Sequence, residues 1–388
     1  MIDYQYANRD RPVRLGLVGG GPGSFAGIAH PIAARLDGRF SIVAGVFSSH
    51  PDRSADRAAI HGVARDRAYA TLPEMVEAES ARRDGVEAVA VITPRQSHFA
   101  VAKIAVDAGL HVICEKPISE SAAEAEELAS LVAQKGVVFC LTHNYSGYPM
   151  VREARQMVQS GAIGDIRMLE AQFILGRAAQ RDEGAAERKP WNFDLAAQGY
   201  SWIMLEVGTH VEHIARFVTG LRPVAVCAEI NSASPIFGND DTAMLLVRYE
   251  NGARAVMWFS FAAAGCNHDL KFRVHGKSGG LEWRQDEPER LVHSDVDRPR
   301  QTRQRGELYL STSSRLAERI SRGHPEGFHE AFANLYRDFG EAIRARQTGT
   351  LLAPEFATFP TAEDGVLTLR FSEAAYRSAI CGSAWTPV

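Results

Sequence analysis

What the chain lacks narrows it first. No stretch approaches the roughly 18 uncharged apolar residues that a membrane-spanning helix needs, and Met1 to Asp10 hold no apolar core of a signal peptide. Its five cysteines (Cys114, Cys140, Cys227, Cys266 and Cys381) are odd in number, lie far apart and form no CxxC pair. That spacing argues against a disulfide framework and a thiolate zinc site, and fits a reducing cytoplasm. Charge of one sign is also missing: 43 Lys and Arg face 47 Asp and Glu, so no global basic field exists to hold nucleic acid or an anionic membrane. Internal repeats and low-complexity tracts are absent from the sequence. What is there is an ordinary globular composition, 45% hydrophobic and 23% charged over 388 residues, a length for two or three domains.

About the first 140 residues alternate β-rich and helical runs, the pattern of a parallel sheet covered by helices. Val13 to Val18 reads as a strand, followed by a glycine loop and an apolar helical run through Ile28, Ile32 and Leu36. Phe40 to Phe47 is a second strand, and Glu87 to Ile92 is near-continuously apolar, as a strand buried on both faces requires. A helix from about Ser97 to Ala108 ends at Gly109, and His111 to Cys114 is the next strand. Val137 to Leu141 then brings the strand count to about six. An α/β domain is expected over residues 1–142.

From residue 143 to 388 the expectation is an α+β domain with an open, mostly antiparallel sheet. Arg167 to Ile174, Val224 to Ile230, Ala243 to Tyr249, Ala253 to Phe261 and Lys271 to His275 are β-prone, and Asn251-Gly252 is a strong hairpin signal. The polar stretch from Asp286 to Arg305 reads as a surface excursion or loop. A last helix near Glu326 to Arg346 carries Phe328, Phe332, Leu335, Phe339 and Ile343 at helical spacing, a core face.

The loop Gly19 to Gly27 stands between a predicted strand and a predicted helix, the context in which a glycine loop cradles the pyrophosphate of a dinucleotide. Gly19, Gly21 and Gly23, with Ser24 and Phe25 opening the helix, are the candidate contacts; Gly27, the helix-packing glycine, comes three residues late. The second strand should end in an acid for the ribose hydroxyls of NAD, yet Ser48 and Ser49 stand there, with Asp52 and Arg53 beyond. NAD is expected, with NADP left open. Two further strand ends face the expected nicotinamide: Thr93-Pro94-Arg95 with His98, and Glu115-Lys116-Pro117. Glu206, His210 and His213 fall at i, i+4 and i+7, which suits a zinc set, an acid–base pair with Glu206 orienting His210, or plain core packing.

These motifs, with Asn144 and Pro149, occur in the order found in the Gfo/Idh/MocA oxidoreductases, which the chain resembles over nearly its whole length. The resemblance implies an N-terminal Rossmann domain, a C-terminal domain that binds substrate and makes subunit contacts in a homodimer or homotetramer, and redox chemistry on a secondary alcohol of a sugar or cyclitol. By matching positions, Lys116 and His210 are the catalytic pair, Glu206 holds His210, and Asn144 belongs to the substrate cleft and the cofactor site. Arg95 replaces the family's usual Asn, and a polar insertion from Gly176 to Asn192 brings Arg177 and Trp191 as candidate substrate contacts, either on a lid or on a solvated loop. A rival within the same superfamily is a redox-neutral glycosidase that oxidises its sugar transiently. Tyr145, Tyr148, His143 and His324 are its candidate extra bases, and Arg95, Arg177, Arg181 and Lys189 would suit an anionic sugar.

Overall fold

The computed structural model describes residues 11–21, 24–48, 50–176, 200–234 and 239–388. Along the chain run β1 (Val13–Gly19), α1 (Ala26–Leu36), β2 (Phe40–Val46), α2 (Pro51–His61), α3 (Leu72–Ser80), β3 (Ala88–Ile92), α4 (His98–Asp107), β4 (His111–Cys114), α5 (Ala122–Lys135) and β5 (Phe139–Leu141). There follow α6 (Pro149–Gln159), β6 (Ile166–Ile174), α7 (Thr209–Thr219), β7 (Pro223–Asn231), β8 (Thr242–Tyr249), β9 (Arg254–Ser260), β10 (Asp269–Gly276) and β11 (Gly279–Arg284). The rest is β12 (Arg290–Asp295), β13 (Gln301–Gln304), α8 (Thr312–Leu316), α9 (Phe328–Thr348), α10 (Ala362–Ile380) and β14 (Thr386–Pro387).

Two compact units divide the chain. The first takes residues 1–119, 123–147 and 327–366; the second takes 120–122, 148–326 and 367–388. A single boundary at 142/143 is therefore replaced by a split first unit, completed by residues far along the chain. The cause is the aromatic face of α9. Phe332, Leu335, Tyr336, Phe339 and Ile343 join Leu15, Leu17, Phe40 and Ile42 in one buried cluster, with the Phe40 ring stacked on Phe339 at 5.7 Å and edge-on to Tyr336 at 5.4 Å. Burying those five α9 side chains contributes on the order of 10 kcal/mol before the entropy of ordering is deducted. Asn334 Nδ2 adds a hydrogen bond of 2.8 Å to the Gly147 carbonyl.

The first unit's sheet is wholly parallel, in the order β2-β1-β3-β4-β5. It has five strands, not about six, because each βα unit supplies one strand and none precedes β1 among the described residues. β3 is buried along its whole length, as its unbroken apolar run requires. In α1 the helix forms as expected, with its small residues turned inward. Gly27, Ala29, His30, Pro31, Ala33 and Ala34 are buried, while Ile28, Ile32 and Leu36 are exposed. Small side chains let this helix lie close to its neighbours.

The second unit's sheet has nine strands, β13-β12-β11-β10-β6-β9-β8-β7-β14, antiparallel except for β6 with β9. β8 and β9 form the hairpin that Asn251-Gly252 signals; Gly252 has φ +89° and Asn251 Oδ1 accepts from the Ala253 N–H at 2.9 Å. The stretch from Asp286 to Arg305 is not a loop but holds β12 and β13. Their alternation was hidden by arginines, one of which, Arg305, is buried with its charge met by Glu289 at 2.7 Å and Glu326 at 3.4 Å. Nor is the helix after residue 326 the last: α10 follows it.

Glu87, just before β3, ties down the start of β1. It accepts from Arg11 at 2.5 and 2.7 Å and from the Arg14 N–H at 3.0 Å. Burial alone would raise its pKa, but the Arg11 hydrogen bonds, the Arg14 N–H and both positive charges pull it down to about 2. Glu87→Gln is expected to cost about 1–2 kcal/mol at pH 7, discounted because Arg11 is half-exposed. A depressed carboxyl stabilises above its unfolded pKa and stops doing so as pH falls through the folded one. Thermal melts of the two proteins should therefore converge between about pH 4.5 and pH 2.

Candidate active site

In the first unit, β1 ends in Gly19 and Gly20, both in the left-handed region at φ +96° and +74°. A Cβ on Gly27 would stand 2.7 Å from the Gly20 carbonyl oxygen, so glycine at both positions lets the first turn of α1 rest on the loop backbone. The late third glycine thus does the helix-packing work that the fingerprint needs. Gly21 faces open space, and Ser24 Oγ accepts from the Gly27 N–H at 3.0 Å, fixing the turn into α1. Phe25 is two-thirds exposed, its ring tilted against Phe328 at 5.3 Å. Gly23 lies outside the described residues. The sequence reading missed Arg57 on α2, whose Nη2 donates to the Gly20 carbonyl at 2.5 Å.

After β2, Ser48 Oγ accepts from the His50 N–H at 3.1 Å, a local turn that keeps the hydroxyl oxygen on its own backbone. Ser49 and the Asp52 side chain lie outside what the structure describes, and Arg53 is exposed on α2.

At the carboxyl ends of β3, β4 and β5 the expected residues gather with distinct tasks. The buried His98 ring lies between two strand ends, with Nδ1 2.6 Å from the Pro117 carbonyl and Nε2 2.8 Å from the Thr93 carbonyl. Burial pushes its pKa down against these bonds. Pro94 opens the short 3-10 turn Arg95–Ser97, accepting from the Ser97 N–H at 3.0 Å. Glu115 Oε1 accepts from Thr142 Oγ1 at 2.8 Å and meets His30 Nε2 at 2.9 Å, while His30 Nδ1 meets the Tyr336 hydroxyl at 2.6 Å. Burial opposes the Glu115 charge, yet the His30 hydrogen bond, the charges of His30 and Lys116, and Thr142 hold its pKa below the ordinary value. Lys116 follows directly. His30, Thr142 and Tyr336 escaped the sequence reading because they come from α1, the end of β5 and α9. Asn144 and Tyr145 form a buried 3-10 turn after β5.

In the second unit, Glu206 lies in a π-helical turn, Met204–Gly208, that runs straight into α7 with His210 and His213. The regular α spacing expected there is therefore broken by one wide turn, a form that recurs at functional sites. His210 is 8% exposed, its ring 6.3 Å from that of Phe173; His213 is buried against Phe217 at 5.9 Å. Among the described residues no three of His, Cys, Asp and Glu come together as a metal set. Asp240, also missed, accepts from the Trp202 N–H at 2.7 Å and from Ser201 Oγ, anchoring the entry to the π turn; burial raises its carboxyl pKa. Tyr148 packs on Trp283 at 5.4 Å as a core residue, and His324 lies exposed beside Ser321. Arg177 and Trp191 lie outside the described residues, as do Arg181 and Lys189.

Residues 13–143 match the oxidoreductase family with an NAD-binding Rossmann fold, and residues 151–282 match the GFO/IDH/MocA C-terminal domain. The chain belongs to the Gfo/Idh/MocA oxidoreductase family. It is 33% identical over 383 residues to the uncharacterized oxidoreductase YfiI of Bacillus subtilis (97% of this chain, 96% of that one). An inositol dehydrogenase homolog from Azotobacter vinelandii complexed with NAD+ superposes with a TM-score of 0.92 at 35% identity, covering 100% of each chain. A structure of such a homolog with NADH and myo-inositol gives a TM-score of 0.88 at 34% identity, covering 97% of this chain and 98% of that one.

The first unit of this Gfo/Idh/MocA protein fits the NAD its family binds. Gly21 leaves room beside the backbone, and two buried groups at the strand ends, Thr93 Oγ1 and Asn144 Nδ2, have no hydrogen-bond partner among the described residues. Such groups call for a polar ligand, since leaving one unsatisfied costs about 1–3 kcal/mol. Gly27→Ala, whose Cβ meets backbone rather than a movable side chain, is expected to weaken NADH binding by at least about 10-fold, read by fluorescence titration. Unchanged affinity would mean that α1 does not set the loop.

Proposed function

We propose that the chain is a nicotinamide-dependent dehydrogenase that takes hydride from a secondary alcohol of a sugar, glycoside or cyclitol, with Lys116 and His210 as its acid–base groups. The observation that carries this reading is the Glu115-Lys116 strand end. There a carboxylate held by His30 and Thr142 precedes a lysine at the carboxyl edge of the parallel sheet, the edge where open α/β sheets hold ligands. The myo-inositol in the Azotobacter structure supports a cyclitol or sugar as the substrate class.

When bound, the nicotinamide supplies the hydride acceptor. An alcohol parts with hydride easily only as it becomes an alkoxide, so the chain's task is to move one proton and stabilise one charge. The Lys116 ammonium stabilises the developing alkoxide. His210 takes the hydroxyl proton, and Glu206 holds its imidazole in the tautomer whose lone pair is free to do so. Asn144, Arg95 and Tyr145 orient the substrate.

We also read the protein as a cytoplasmic homodimer or homotetramer. All five cysteines are free thiols, and no helix among the described residues is long and apolar enough to cross a membrane. One face of the nine-stranded sheet exposes Met168, Met244, Leu246, Val256 and Trp258, an apolar surface that a second copy of this chain would cover. Sedimentation velocity should show a dimer or tetramer that Leu246→Glu with Trp258→Glu converts to monomer; a monomeric wild type removes this part.

Lys116→Ala and His210→Ala are each expected to lower turnover by at least about 100-fold with cofactor affinity kept within about 3-fold. Lys116→Arg should not rescue, because a guanidinium is bulkier and keeps its protons. With excess NAD+ and free myo-inositol or a related sugar, NADH absorbance should grow in step with product. Flat absorbance during cleavage of an aryl glycoside, with solvent deuterium entering sugar carbon 2, would replace this reading by the redox-neutral glycosidase.

A further inference from the structure

Arg57 differs from four other arginines of low exposure that are matched to acids. Arg67 pairs with Glu79, Arg216 with Glu212, Arg305 with Glu289 and Arg337 with Asp338. Arg57 meets no carboxylate among the described residues. Its guanidinium reaches from the middle of α2 to the glycine loop, donating through Nη2 to the Gly20 carbonyl at 2.5 Å, while its buried Nε has no partner among the described residues. Two more arginines near it lack an acidic partner among the described residues. Arg35 donates to the His61 carbonyl at 2.7 Å, and Arg53 is exposed one turn before Arg57 on the same helix. The positive field is felt by His61, whose pKa burial lowers first and the charges of Arg35 and Arg57 lower further.

The end of β2 points the same way. A dinucleotide fold that prefers NAD places an acid there, which accepts from the ribose hydroxyls and repels a 2′-phosphate. Here β2 ends in Val46, Phe47 is buried against the His61 ring at 5.4 Å, and Ser48 is turned onto its own backbone. The described residues thus put three uncompensated guanidinium groups around α2 and no carboxylate at the position that would exclude phosphate. Unpaired cations beside a phosphate-binding loop favour a further anion.

We propose that this face of the first unit accepts the 2′-phosphate of a phosphorylated nicotinamide dinucleotide, with Arg57 and Arg53 as the phosphate-reading cations and Ser48 as the permissive residue, so that the protein binds NADPH as well as NADH. The inference rests on the dinucleotide site and not on the identity of the alcohol. Its test is direct binding, without substrate, so a failed dehydrogenase assay and a failed phosphate site are told apart.

NADH and NADPH are titrated separately into the full-length protein, with binding followed by nicotinamide fluorescence. Wild type is expected to hold the two with dissociation constants within about 10-fold of each other. Arg57→Met should weaken NADPH at least about 10-fold more than NADH, because a loosened loop alone would weaken both alike. Ser48→Asp, which leaves the Arg57 contact to the loop in place, should weaken NADPH by about 10-fold or more with NADH unchanged or tighter. A wild type that prefers NADH by more than about 10-fold, or a ratio of the two constants that moves in neither variant, overturns the proposal.

Discussion

The close approach of Gly20 to Gly27 is the constraint on which the first unit turns. Because nothing larger than hydrogen separates those backbones, α1 rests directly on the end of β1, and every residue further along the helix takes its place from that contact. His30, three residues on, then reaches Glu115 at 2.9 Å on one side and Tyr336 at 2.6 Å on the other. The phosphate loop and the lysine-bearing strand end are therefore not separate motifs that share a sheet. They are joined through one helix whose buried face is made of small residues so that it can lie close.

Much of this was legible in the sequence, and the reasons are specific. Strands buried on both faces read plainly, as Ala88–Ile92 does, because a short unbroken apolar run leaves neither face fit for water. The Asn251-Gly252 turn was equally plain, since its backbone demands leave little choice of residue. Other features failed for equally physical reasons. The apolar run through Ile28, Ile32 and Leu36 marked a helix but not its buried face, which close packing made from the glycine and alanines beside them. Arginine and glutamate around β12 and β13 looked like a solvated loop, although Arg305 is a buried, fully paired cation.

Within each unit the motif residues stand out in the sequence and their partners do not. Glu115, Lys116, Glu206 and His210 stand out by local spacing. Thr142, Tyr336, Arg57 and Asp240 act on residues 27 to 306 positions away in the chain, and no short-range pattern marks them. His98, a conspicuous residue beside a conspicuous motif, stands with its two ring nitrogens against the backbone carbonyls of Pro117 and Thr93, a setting that no local spacing signals.

The late arrival of α9 has a consequence for how the protein is made. Synthesis delivers all five strands of the parallel sheet by Leu141, yet the aromatic side chains that cover Phe40, Leu15 and Ile42 follow only after residue 327. In between, the ribosome must release the nine-stranded sheet's main body as an insert. A nascent chain that has exposed the first sheet thus waits, the face that α9 will cover still bare, for well over a hundred further residues, the stage of its growth at which it is most open to aggregation.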